Sequence, residues 1–91
     1  MIYGVYSIRD AKTGFMSPVI EVNDDAAVRN FFHSVSTSEG ILFTYASDFS
    51  LYLIGKFDSD YGVLEPAVPR ILVAEGSHAI RALKEEAKKD G

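Results

Sequence analysis

The chain has 91 residues, of which 47% are hydrophobic, so it favours one domain over residues 1–91 with a single core. It has no cysteine, which excludes disulfides and thiolate zinc sites and fits a reducing cytoplasm. No apolar run approaches the ~20 residues of a membrane span, and the N-terminus lacks the basic start of a signal peptide. The net charge of −4 argues against indiscriminate binding of nucleic acid by the whole surface.

The first part of the chain predicts a β-hairpin followed by a helix. Residues 2–9 are rich in β-branched and aromatic types, and Asp10 and Gly14 are typical of a turn. A hairpin is therefore predicted over 2–22, with Pro18 at an edge or bulge because it cannot donate to a ladder. A helix is predicted over 24–36, since Asn23 suits an N-cap and an apolar stripe follows at helical spacing. The stripe consists of Val28, Phe31, Phe32 and Val35.

The second part predicts the same order of elements after a short strand at 41–45. Residues 50–57 are apolar on both alternations, as expected for a strand near the centre of a sheet. Pro66 and Pro69 are expected to end the return strand, which predicts a second hairpin over 50–65. The pattern leaves 71–73 unassigned and predicts a C-terminal helix over 77–89. Its apolar stripe consists of Ile80, Leu83 and Ala87.

Each half of the chain thus has the order β-β-α. Two such units can share one antiparallel sheet with both helices on one face, which predicts a small α+β single domain. The other face of the sheet then carries the aromatic side chains that alternate away from the helices.

The residues that enzymes and metal sites require are mostly missing from the sequence. There is no cysteine nucleophile, no Gly-x-Ser-x-Gly elbow, no phosphate-binding loop and no dinucleotide fingerprint. The two histidines, His33 and His78, lack a second ligand at metal-binding spacing. We therefore expect a protein that is not an enzyme and that uses no metal or cofactor.

Aromatic and basic side chains along the strands are the better candidates for a site. Unpaired bases stack on aromatic rings close to cations, and the predicted strands combine both residue types. The candidate contacts there are Arg9, Lys12 and Lys56 with the tyrosines Tyr6 and Tyr52. Core packing or a dimer interface is the alternative role for these rings, because a small domain needs aromatics inside.

The C-terminal helix offers a second basic surface. Arg81, Lys84 and Lys88 stand at i, i+3 and i+7 beside the apolar stripe, where they could touch phosphates. The alternative is a solvated helix face balanced by Glu85 and Glu86.

A family resemblance sharpens these alternatives. The segment Asp48-Phe49-Ser50-Leu51-Tyr52-Leu53-Ile54-Gly55-Lys56-Phe57-Asp58, followed by Gly62, resembles the small nonstructural protein of gokushoviruses, which are single-stranded DNA phages of the Microviridae. The Asp10 to Gly14 turn, the helical segment 27–31 and the proline after the second hairpin stand in the same order, so the resemblance covers residues 2–70. The loop 45–47 departs from the pattern because it lacks the expected proline.

The resemblance implies a phage protein made in the host bacterial cytoplasm and absent from the mature capsid. It implies DNA binding, or a role when replication switches to synthesis and packaging of the single-stranded genome, and it supplies no catalytic residue. We therefore predict a DNA-binding accessory protein that contacts single-stranded DNA.

The alternative is an acidic protein-interaction module that does not contact DNA. It would bind a host or viral replication protein through the apolar strand at 51–57 or through an open sheet edge. The net charge favours this alternative. A homodimer is predicted separately, from the aromatic content and the doubly apolar strand of so small a domain.

Overall fold

The computed structural model describes residues 1–89, with side chains through residue 85. The described part forms one antiparallel sheet and three helices, which confirms the predicted α+β single domain. In chain order the elements are β1 (Ile2–Asp10), β2 (Gly14–Phe15), β3 (Val19–Glu21), α1 (Asp24–Thr37), α2 (Ile41–Thr44), a 3₁₀ turn (Ala46–Asp48), β4 (Phe49–Asp58), β5 (Val63–Glu75) and α3 (Gly76–Lys89).

The sheet has the strand order β2-β1-β4-β5, and β3 also pairs with β1. Strand β4 therefore lies between β1 and β5, the central position expected for residues 50–57. Pro18 falls in the gap between β2 and β3, where the ladder is interrupted. The turn glycines Gly14 and Gly62 have φ of 99° and 67°, a region that glycine enters without steric cost.

Helix α1 begins where its capping residue predicts. The side chain of Asn23 accepts a hydrogen bond from the Ala26 N–H at 2.8 Å, and two aspartates occupy the first turn. The helix buries Phe31 and Val35 from the predicted stripe against the sheet. Its cap and its apolar stripe therefore both stabilise helix α1.

Helix α3 packs beside α1 with a different residue than expected. Ala79 is its buried contact and Ile80 is partly buried, whereas Leu83 remains 41% exposed. The predicted stripe is therefore wrong at Leu83, because the small Ala79 lets the helix approach the core closely. Ala87, the third predicted member, has a side chain outside the described residues.

Cross-strand register assigns the side chains of the sheet to two faces, since directly opposed residues point the same way. The face packed under α1 and α3, here called the covered face, carries core residues. Its core members are Tyr6, Ile8, Phe49, Leu51, Leu53 and Ala74. The opposite face, here called the open face, has no helix of the described chain packed on it.

The strand expected at 41–45 is wrong. Residues 41–44 form the short helix α2, closed by a hydrogen bond from the Tyr45 N–H to the Ile41 carbonyl at 2.8 Å. The apolar types there favour a strand locally, but Leu42 packs against the core beside the helices, and this contact decides the conformation.

The expectation that two prolines end the second hairpin is also wrong. Strand β5 continues through Pro66 and Pro69 to Glu75 and includes the unassigned residues 71–73. It is an edge strand of the described sheet, so prolines are tolerated there although they donate no ladder hydrogen bond. The register between β4 and β5 shifts at Leu51/Tyr52 and at Leu53/Gly55, and these irregularities accommodate the residues of β5 that have no partner on β4.

One end of the sheet extends beyond the helices. We call this end the arm and define it by residues 2–4, 55–58 and 63–66, together with the turn between β4 and β5. The N-terminal ammonium donates to the Asp60 carboxylate at 2.9 Å and ties β1 to that turn. The molecule is elongated, with extents of 49 × 30 × 21 Å.

Candidate functional site

The open face carries an arginine packed over two aromatic rings. The guanidinium of Arg70, on β5, lies 5.2 Å from the ring centroid of Phe15 and 5.6 Å from that of Tyr52. The two rings meet edge to face, with centroids 5.6 Å apart. We call Phe15, Tyr52 and Arg70 the aromatic-arginine cluster. Both distances from Arg70 are within the range of cation–π attraction.

The sheet register explains why these residues meet. Phe15 on β2 is opposite Arg9 on β1, and Tyr52 on β4 is opposite Ser7 on β1. Alternation along the strands places all four side chains on the open face. Arg70 enters from the edge strand. Four strands therefore supply one small surface of rings and cations.

The aromatic rings of the cluster remain accessible. Phe15 is 44% exposed and Tyr52 is half-buried, while Arg70 is exposed. Among the described residues, neither Arg9 nor Arg70 lies within salt-bridge distance of a carboxylate. The cluster can therefore offer ring faces and unneutralised guanidinium groups to a ligand.

The structure brings together part of the predicted site. Arg9 and Tyr52 lie on the open face near the cluster. Lys12 lies in the turn after β1, beside a cavity lined by Ile41 and Tyr45. Lys56 is opposite Gly4 and Glu65, which places its side chain on the opposite side of the sheet from Tyr52.

The helical candidates are separated from this surface. Arg81 and Lys84 are exposed on α3, which packs on the covered face. The side chain of Lys88 lies outside the described residues. The open-face residues and the α3 edge are thus two surfaces, and a single compact ligand does not reach both.

Tyr6 is wrong as a surface candidate. It is 1% exposed on the covered face, and its hydroxyl donates a hydrogen bond to the Asp24 carboxylate at the start of α1. Burial first, and then the hydrogen bond and negative charge of Asp24, raise the pKa of the Tyr6 phenol. Tyr6 joins β1 to α1 and is not available to a ligand.

Sequence reasoning missed Arg70 and did not select Phe15. Arg70 lies beyond Pro66 and Pro69, where the strand was expected to have ended, so no face could be assigned to it. Phe15 had the right residue type in a predicted strand, but its face depends on the pairing of a two-residue strand with β1. The signal that could have identified Arg70 was its alternation with Leu72 along a continued strand.

The described residues hold no group of three or more His, Asp or Glu side chains placed to bind a metal ion. Within the same part of the chain, no helix has the length and apolar character needed to cross a membrane.

Comparison with known proteins places the chain in a family. No curated protein and no solved structure matches it. A sequence model described as Phage ORF5 protein matches residues 3–79, which include all five strands, α1, α2 and the start of α3. The matched range contains Phe15, Tyr52 and Arg70. This chain is therefore a phage protein that belongs to the Phage ORF5 protein family.

Proposed function

We propose that this phage protein binds single-stranded DNA on the open face of its sheet and acts as a binding protein, not an enzyme. The observation that carries the proposal is the aromatic-arginine cluster, where Arg70 lies over Phe15 and Tyr52. Rings stack on unpaired bases, and guanidinium groups pair with phosphates. An antiparallel sheet that presents aromatic side chains to unpaired bases is a recurrent arrangement in nucleic-acid recognition.

The distribution of charge supports the proposal despite the net charge of −4. Among the described strands, register and ring contacts place three charged residues on the open face, which are Arg9, Arg70 and Glu75. Carboxylates such as Asp58 and Glu65 alternate to the other side, and Asp24 and Asp25 lie at the start of α1. The open face is therefore locally cationic while the rest of the surface is acidic.

Single strands are favoured over duplex DNA by the same geometry. A base has to leave the stack of a duplex before its flat side can reach Tyr52 or Phe15, and this costs a few kcal/mol. With two cations contacting phosphates, the logarithm of the binding constant should fall with the logarithm of salt concentration with a slope of about −1.4. Binding is expected to be modest and salt-sensitive.

The family supports a setting for this activity. Membership in a phage protein family, together with the resemblance of residues 2–70 to gokushovirus nonstructural proteins, supports a role in the host bacterium during synthesis or packaging of a single-stranded genome. In this role the protein would bind the displaced or newly made viral strand.

The test is fluorescence anisotropy of labelled single-stranded and duplex oligonucleotides, measured from low to physiological salt. Tyr52→Ala should weaken single-strand binding by about 1–3 kcal/mol, since one stacked base is lost. Arg70→Ala should weaken binding and make the salt slope less steep by about 0.7. Circular dichroism establishes that each variant is folded.

Matched controls use residues of the same type outside the cluster. Tyr61→Ala removes a tyrosine that is 83% exposed in the turn between β4 and β5, and Arg81→Ala removes an exposed cation on α3. Both should bind like the unchanged protein. Equal losses in Arg81→Ala and Arg70→Ala would contradict the assignment to the open face.

Absence of binding even at low salt would overturn the proposal and favour the protein-interaction alternative. That alternative has one structural observation behind it, since Leu72 on the same face is 48% exposed. A replication protein that binds the chain after nuclease treatment, and loses binding in Leu72→Asp, would support it.

A further inference from the structure

A cavity of about 260 Å³, here called the turn cavity, lies at one end of the sheet between the turn after β1 and helix α2. Ile41 and Tyr45 line it and are 59% and 58% exposed, whereas Phe49, which also lines it, is buried. Since a water molecule takes about 30 Å³, the turn cavity has room for roughly nine atoms of that size. This is the size of one flat nucleic-acid base.

Three charged side chains also line the turn cavity, and they differ in what they already bind. The Asp10 carboxylate accepts hydrogen bonds from the Lys12 backbone N–H at 2.9 Å and the Thr13 hydroxyl at 3.1 Å, so both of its oxygens are engaged in the turn. Lys12 is exposed and Asp48 is half-buried, and neither forms a salt bridge within the part of the chain that the structure describes. The turn cavity therefore offers a ligand one cation and one carboxylate acceptor.

The turn cavity lies close to the aromatic-arginine cluster. Tyr52 is opposite Ser7 on β1, and Phe49 is opposite Asp10 on the same strand. These two rows are three residues apart on β1, which is about 10 Å along the strand. Gly14, opposite Asp10 at the turn, has no side chain, and apart from its chain neighbours no heavy atom lies within 4 Å of the position its Cβ would take. A flexible single strand on the open face can therefore continue over this turn to the turn cavity.

We propose that the turn cavity is a second base subsite for the same DNA strand and that it selects a base with an exocyclic amino group. This inference rests on the proposed function, because a strand held at the cluster brings one of its next bases to the turn cavity. Tyr45 supplies a ring on which the base stacks, and Lys12 contacts a neighbouring phosphate. The Asp48 carboxylate accepts a hydrogen bond from the amino group.

The carboxylate of Asp48 gives the turn cavity its selectivity. A carboxylate accepts hydrogen bonds and donates none. Cytosine presents an amino donor where thymine presents the O4 carbonyl, which is an acceptor. Thymine would therefore set one acceptor against another and leave the half-buried carboxylate without a partner, which costs free energy. Tyr45 and Lys12 do not distinguish these two pyrimidines, because stacking and phosphate contacts are common to both.

The experiment is fluorescence anisotropy of labelled oligodeoxycytidylate and oligodeoxythymidylate of equal length, with the full chain at neutral pH and low salt. The unchanged protein should bind the cytosine strand about fivefold or more tightly than the thymine strand. Asp48→Asn should bring this ratio close to one, because an amide can also donate to the thymine carbonyl. The variant keeps both backbone hydrogen bonds of Asp48, to Ala11 and Tyr45, and circular dichroism checks that it is folded.

The matched control is Asp25→Asn, which removes the same charge at an exposed position in the first turn of α1. It should leave the ratio of the two affinities unchanged. Equal affinities in the unchanged protein, or a preference for cytosine that persists in Asp48→Asn, would overturn the subsite and leave single-strand binding standing. An equal fall of the ratio in both variants would indicate a general effect of charge and would also overturn it. If neither strand bound, the proposed function would fail and the subsite with it, so the two failures are distinguishable.

Discussion

Similar aromatic residues are buried on the covered face of the sheet and remain accessible on its open face. On the covered face Tyr6 and Phe49 are 1% and 3% exposed beneath the helices. On the open face Phe15 keeps 44% of its surface exposed and packs against one arginine and one ring. Burial on the first face supplies stability, whereas the second face holds its rings in place without removing them from solvent. The difference separates residues that the fold needs from residues that a ligand can use.

The strongest test of this contrast is Phe31→Ala, in the helix that covers the sheet. Phe31 is 3% exposed in the core cluster, so truncation should lower the free energy of unfolding by about 3–5 kcal/mol. Urea denaturation followed by circular dichroism measures the loss. A change below about 1 kcal/mol would show that the covered face is not the stabilising one.

Gly76→Ala tests how closely α3 is attached to the same side. A Cβ at Gly76 would overlap the carbonyl oxygen of Ala46 and lie 3.0 Å from that of Phe49, and backbone atoms cannot move aside cheaply. We expect a loss of about 1–3 kcal/mol, measured by the same denaturation. Gly40→Ala is the matched control, since its Cβ would meet the Ser38 hydroxyl at an ordinary 3.7 Å. Equal losses in both would refute the close approach at Gly76.

Tyr6→Phe isolates the polar part of a covered-face ring. Loss of the hydrogen bond to Asp24 should cost about 1 kcal/mol at neutral pH. Because the pKa of Tyr6 is raised in the folded protein, its contribution is fully present below the pKa of the unfolded chain, about 10, and declines as pH rises above it. The stability difference between the unchanged protein and Tyr6→Phe should therefore shrink in alkaline solution. Tyr61→Phe, at a position that is 83% exposed, is the control and should leave the free energy of unfolding at neutral pH unchanged.

Phe15→Ala tests the open face and is expected to have the smallest effect on stability of these variants. The ring is partly solvated, so its removal should cost less than about 1 kcal/mol of folding free energy, including the lost cation–π contact. Oligonucleotide binding should nevertheless weaken in the anisotropy measurement. A large loss of stability with unchanged binding would reverse the roles assigned to the two faces.

Elements with local causes could be predicted from the sequence. Helix α1 has its cap at Asn23 and its stripe within a few residues, and the turn glycines Gly14 and Gly62 mark the two hairpins. The α+β class follows from the order of these elements.

Features that depend on position in the sheet could not be predicted. Pro66 and Pro69 read as the end of a strand, but at a sheet edge they are compatible with its continuation, and Arg70 was missed for this reason. Tyr6 and Tyr52 look equivalent as strand tyrosines, yet Tyr6 pairs with Leu53 and Tyr52 pairs with Ser7, and these adjacent rows point to opposite faces of the sheet. Local sequence does not state which alternation the helices will cover.

The central pairing of β1 with β4 has a consequence for the time at which the protein folds. Ile2 pairs with Asp58, so the N-terminal strand finds its central partner only after most of the chain has been synthesised. At about 5–20 residues per second this delay lasts roughly 3–11 s. In the meantime β1 can pair only with the short strands β2 and β3. A nascent chain of this protein thus exposes an unpaired strand edge for several seconds, which is a form prone to aggregation.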